Sequence, residues 1–294
     1  MTGSRMNRVS PARLVVAFTA ALAAAILTIA GCASRATGPE KQQQRIAKEL
    51  REMSEAVPKA VADANRAALV QVAIGRLDTE LAGLRAALDN FEMDLRLLNA
   101  RRDASRAQLA ERLDLFETER KAARSRVLDI HLQMATAPTT TAGEWKQLSG
   151  YEGKALGPVL VGGSKSGSGL FHTGRALPDL KERANAVVGD DLRREAVART
   201  FETIEKEVKS WAPDSAALEK DVLAAFERHG ATRSDFEILF ARADGLDARA
   251  RETFLAQREV LRSRANAEEW TALWAPPKVE SVEAFKNYGE KQGN

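Results

Sequence analysis

Apolar residues recur along this chain at the spacing of packed helices. Val70, Ile74, Leu77, Leu81, Leu84, Leu88, Phe91, Leu95 and Leu98 stand alternately four and three residues apart. A heptad period of this kind lays one stripe along a helix and predicts a seam that packs on another helix. Gly75 and Gly83 lie within it, each costing about 1 kcal/mol relative to alanine. A second seam runs through Leu109, Leu113, Phe116, Arg120, Ala123, Val127, Ile130 and Met134, one residue out of phase with the first. A stutter would explain the phase break and leave one helix from about Pro58 to Ala135, roughly 115 Å long. A tight turn within residues 99–103 would instead make an antiparallel hairpin. The absence of Gly and Pro there favours the stutter.

The C-terminal half follows the same plan. Val197, Phe201, Ile204, Val208 and Trp211 form a seam that Pro213 interrupts and Leu218, Val222 and Phe226 resume. Gly230 is a predicted helix-ending residue, and Ser234 with Glu237 has the capping-box pattern at the start of a further helix. Each half closes in a similar phrase. Glu144, Trp145 and Leu148 in the first answer to Glu269, Trp270 and Leu273 in the second, 125 residues on. Either the chain carries a degenerate internal repeat, or two Ala/Glu/Arg-rich helical stretches imitate one another. A repeat favours the hairpin, because the second copy has its turn at Gly230. Between the halves, residues 149–174 hold eight glycines in 26 residues. Such a stretch buries too little apolar surface to offset its ordering entropy, which predicts a flexible linker.

The N-terminus has a different pattern. Arg5, Arg8 and Arg13 lead into an apolar run of 17 residues, Leu14 to Ala30, which ends in Ile29-Ala30-Gly31-Cys32 at the only cysteine. This resembles a bacterial lipoprotein signal peptide. The resemblance implies that the Cys32 sulfur takes a diacylglycerol and that cleavage between Gly31 and Cys32 makes Cys32 the first mature residue. A plain secretory signal cleaved near Ala33 is a looser fit, and the run is slightly short of the ~20 residues that span a bilayer. A single cysteine builds no intramolecular disulfide. Ala33 stands where an Asp retains many lipoproteins at the inner membrane, so the resemblance implies the periplasmic face of the outer membrane. Some lipoproteins join the outer membrane to the wall through a C-terminal Lys; the ending Lys291-Gln-Gly-Asn294 speaks against that attachment.

The expected organisation is thus all-α, a coiled-coil-like bundle of long hairpins in two degenerate repeats. Its segments are a signal peptide (1–31), a tether (32–39), a first helical hairpin (40–148), a Gly/Ser-rich linker (149–177), a second hairpin (178–275) and a polar tail (276–294). The whole chain has 44 Lys+Arg against 41 Asp+Glu, and the three arginines of the leader are the entire excess. The pI of about 9.0 therefore carries no argument for nucleic acid, and no basic patch is interleaved with aromatics.

Candidate chemistry is sparse. A phosphate loop needs Gly-Lys followed at once by Ser or Thr, whereas Lys165 follows Ser164 within more Ser and Gly, so no nucleotide is expected. His131, His172 and His229 lack metal-ligand spacing and read as solvated or capping residues, His131 near a helix end where a cation suits the dipole. Asp190 and Asp191 read as helix N-caps. No Ser/His/Asp constellation occurs, so no enzyme, metal or cofactor is expected beyond the lipid on Cys32. Trp145 and Trp270 read as residues closing the end of a core rather than stacking on a ligand. Helical periplasmic stress-chaperone proteins carry paired Leu-Thr-x-x-Gln phrases at helix ends, which the Glu-Trp-x-x-Leu phrases resemble in placement. Most letters differ, so no functional residue transfers. The expected function is a lipid-anchored, non-enzymatic envelope module that binds a protein partner or itself through residues 70–98. The alternatives are a periplasmic chaperone or stress sensor and, more distantly, an enzyme of unrecognised type.

Overall fold

Short polar side chains set the helix boundaries. Asp63 accepts the Arg66 amide at 2.8 Å and opens a 37-residue helix. Ser105 and Gln108 cap each other's backbone and open the next one. Each satisfies amides that the first turn leaves without partners. The computed structural model describes residues 37–160 and 173–274, with side chains for 43–156 and 180–274. These residues form α1 Thr37–Ala60, α2 Ala64–Ala100, α3 Arg106–Met134, α4 Ala142–Leu160, α5 Thr173–Val187, α6 Asp191–Glu227, α7 Arg233–Arg264 and α8 Ala267–Trp274. The fold is all-α, with no strand among the described residues.

Two antiparallel hairpins dominate, α2 with α3 and α6 with α7. The shorter helices brace them. Helix α1 packs on α4 and α2, α5 on α6 and α8, and α3 meets α7 between the hairpins. The seam from Val70 to Leu95 is buried, and Leu98 is half-buried against the same core. The seam is therefore consumed within the chain, while Val72, Met93 and Leu97 on the outer face of α2 stay exposed. The stutter is overturned too. The chain turns at Arg101–Ser105 and breaks again at 61–63, so Pro58 ends a helix rather than starting one.

The linker boundary also needs correction. Residues 149–160 continue α4 and residues 173–177 belong to α5, while 161–172 lie outside the described residues. Packing outweighs the glycine content. Trp145, Leu148, Glu152, Ala155 and Leu156 are buried at helical spacing, among a core that includes Leu50, Met53 and Val57 of α1. A Cβ on Gly153 would lie 3.8 Å from Leu223 of α6, in ordinary van der Waals contact, so this glycine does not interrupt the packing of α4 on α6. Helix α1 begins at Thr37, inside the expected tether. Helix α6 runs through Pro213, which is exposed along with Lys209, so the carbonyl left without its helical partner faces water. The second capping box is Thr232 with Asp235, not Ser234 with Glu237. Gly230 has φ 78°, the left-handed conformation that glycine adopts freely, and ends the turn after α6.

Gly75 and Gly83 are exposed within α2, and a Cβ at either would meet nothing within 4 Å. Gly75→Ala and Gly83→Ala are expected to raise stability by about 1 kcal/mol each, additively. Urea denaturation of the single and double variants measures this. A loss in either single variant would contradict the open helical placement.

Candidate functional site

The buried polar groups gather at two junctions, each closed by one tryptophan of the paired phrases. At the first, Trp145 of α4 is fully buried and its Nε1 donates to the Phe226 carbonyl in the last turn of α6 at 3.1 Å. His131 of α3 lies edge-on to Trp145, Phe226 and Phe236, with ring centroids 5.5, 4.6 and 5.1 Å away. Its Nδ1 shares a hydrogen bond of 2.8 Å with Glu152 of α4, and both side chains are 0% exposed. The remaining polar atoms of that pair, His131 Nε2 and Glu152 Oε1, have no protein partner.

At the second junction Trp270 of α8 donates to the Ala100 carbonyl, the last residue of α2, also at 3.1 Å. Arg258 of α7 stacks over its ring at 5.2 Å. This guanidinium is 2% exposed. It donates to Asn99 Oδ1 at 2.8 Å and to the carbonyls of Ala104 and Arg101 at 3.0 and 2.9 Å. Burial lowers its pKa to about 10, which still leaves it charged at neutral pH. Trp274 packs against Trp270, and a narrow cavity beside it is lined by Ile204, Phe254, Arg258 and Leu261.

The glutamates of the paired phrases act as caps. Glu144 accepts the Thr141 amide and both Arg66 guanidinium nitrogens, at 2.6 and 2.9 Å. The Arg66 hydrogen bonds, followed by the Thr141 amide, hold its carboxyl down at about 2. Its folded pKa lies below the usual 4.5, so this stability is present above that pH and fades as pH falls towards 2. Glu269 is opposed by burial, but the amides of Asn266 and Gly189 and the Arg193 guanidinium still hold its carboxyl below its ordinary value.

Between the junctions, α3 and α7 meet across ion pairs. Arg120 pairs with Asp247, Arg124 with Asp244 at 2.8 Å, Arg251 with Asp114, Arg106 with Glu252 and Arg233 with Asp129. Arg124 also lies over the Phe240 ring at 4.4 Å. Glu92 on α2 behaves differently. Burial raises its pKa from 4.5 to about 7, against the lowering effect of Arg85. Between those values the folded chain holds a proton that the unfolded chain has released, so stability falls as pH rises. Glu92→Gln is expected to stabilise by about 1–2 kcal/mol at pH 8, allowing for partial exposure, and to do little at pH 4. Equal effects at both pH values in chemical denaturation would contradict this.

The structure thus brings Glu144, Trp145 and Leu148 into one junction and Glu269, Trp270 and Leu273 into the other. Gly31, Cys32 and His172 lie outside the described residues. The expectation of a solvated or capping His131 is overturned, because its ring completes a core position among Val127 and Met134. His229 is half-buried, with Nε2 2.8 Å from the carbonyl of Thr140 in the loop between α3 and α4. Arg258 and Glu152 were missed as core residues. Their signal was spacing: Phe254, Arg258 and Leu261 repeat the four–three rhythm, as do Leu148, Glu152 and Ala155 for Glu152 and Val127, His131 and Met134 for His131.

Among the described residues no group of three or more His, Cys, Asp or Glu is placed to hold a metal ion, and none of the helices is long and apolar enough to cross a membrane. Comparison with protein families, curated proteins and solved structures finds no match.

Proposed function

We propose that this chain is a lipid-tethered, non-enzymatic module of the bacterial cell envelope. In this reading Cys32 carries the lipid, the body stands at the periplasmic face of the outer membrane, and helical surfaces engage a protein partner. The observation that carries it is the order of the N-terminal residues, three arginines, an apolar run and Ile29-Ala30-Gly31-Cys32. The placement of the body supports it. Helix α1 opens at Thr37, five residues after Cys32, and five residues reach at most about 17 Å. A lipid on Cys32 would therefore hold the bundle close against the headgroups. Two or more acyl chains, at about 0.8 kcal/mol per buried methylene, give stable anchoring.

Surface chemistry supports a binding rather than a reacting role. Leu69 and Val72, three apart, and Met93 and Leu97, four apart, stand exposed on α2, where each pair shares a helix face. Most polar groups of the two junctions are bonded to one another. Labelling a lipoprotein-processing host with an alkyne analogue of palmitate tests the tether. The wild-type chain is expected to take the label and Cys32→Ser to lose it. An unlabelled wild type, or a variant that keeps the label, would refute the reading.

A further inference from the structure

We infer that the α3–α7 contact is an internal two-fold interface, in which one four-helix unit, α1–α4, meets a second copy of itself, α5–α8, within a single chain. The inference is independent of the lipid tether. It rests on a constant offset of 127 residues. Helices α2 and α6 are both 37 residues long and begin at Ala64 and Asp191, 127 apart. Their N-caps, Asp63 and Asp190, each accept the amide three residues on, at 2.8 Å in both cases. Their C-caps are Arg101 and Arg228, and the capping boxes of α3 and α7 begin at Ser105 and Thr232.

The cores agree position by position. All ten buried residues of α2 fall, 127 on, upon buried residues of α6. The match survives changes as large as Leu84 to Trp211 and Asn99 to Phe226, so it reflects shared packing rather than shared composition. The Glu-Trp-x-x-Leu phrases keep an offset of 125 because the stretch from the equivalent position near the end of the hairpin to the tryptophan is two residues shorter in the second unit. Met134 to Trp145 is 11 positions, and the corresponding Leu261 to Trp270 is 9.

The operator relating the units follows from the ion pairs. Arg120 and Asp247 are 127 apart and bond to each other. A position that meets its own counterpart lies on a two-fold axis, the mark of an isologous interface. On either side, Arg124 and Arg251 are counterparts, and each reaches an Asp of the opposite helix. Farther out, Arg106 and Arg233 are counterparts and reach Glu252 and Asp129. The tryptophans are exchanged in the same sense. Trp145 closes the end of α6 in the second unit, and Trp270 closes the end of α2 in the first. Each unit is therefore incomplete without the other, and the partner that the α3 face fits is a second copy of its own unit.

Spin labels on the mature chain, with Cys32→Ser to remove the native thiol, test the operator. Asn90 and Ala217 are exposed counterparts, as are Ala107 and Ser234. A two-fold requires the 90–234 and 107–217 distances to agree, within about 3 Å by double electron–electron resonance. The 90–107 and 217–234 distances should agree as well. Unequal distances across the units, with equal ones inside them, would replace the two-fold by another operator and overturn the inference. Unequal distances inside the units would overturn the repeat itself.

Discussion

Trp270→Ala and Trp145→Ala are each expected to lower the unfolding free energy by about 3–5 kcal/mol, the range for emptying a buried aromatic site. Both indoles are fully buried, and each holds a carbonyl in the last turn of the opposite hairpin's long helix. Truncation opens a cavity and leaves that carbonyl without its partner, so transfer and hydrogen-bond losses act together. For a body of this size the fall in Tm should be about 10 °C. Trp→Phe at either site keeps most of the apolar contact and loses the N–H donor, so its cost should be near 1 kcal/mol. Guanidinium denaturation of the four variants measures the series. Near-neutral alanine variants would mean that these side chains do not join the hairpins.

Arg258→Leu is expected to cost about 3–5 kcal/mol, comparable to breaking a buried charged network. Its guanidinium serves three acceptors from the α2–α3 turn, Asn99 Oδ1 and the carbonyls of Arg101 and Ala104. Removing it strands the buried acceptors of Asn99 and Ala104. Arg258→Lys should recover little, because one ammonium cannot match the planar fork. Adding Asn99→Leu to Arg258→Leu should regain about 1–2 kcal/mol by removing one orphaned group. Strict additivity of the two losses in a double-mutant cycle would contradict the network.

The long helices were legible because their seams keep strict heptad spacing, and α2 buries the stripe from Val70 to Leu95 that this spacing marks. What escaped was decided by packing or by caps. Glycines at 150, 153 and 157 read as a linker, yet the end of α4 is helical because Glu152, Ala155 and Leu156 are buried in the shared core. The turn at Arg101–Ser105 has neither Gly nor Pro, and its signal was the Ser105–Gln108 capping box. His131 reads by residue type as solvated or capping, and Arg258 was not singled out. The four–three spacing marks both positions as core-facing, but the partners that bury them lie far along the chain, Phe226 and Phe236 for one and Asn99 and Trp270 for the other. The closing phrases were visible, but their 125-residue offset obscured the 127-residue register of the helices.

The tether is the claim from which the functional reading proceeds, and intact-mass spectrometry of the mature protein extracted from membranes tests it most directly. The account predicts an N-terminal residue that is Cys32, heavier by a diacylglycerol and, in a host that adds it, by an amide-linked acyl chain. A chain that still carries Met1 to Gly31, or one that begins near Cys32 without lipid, would contradict it.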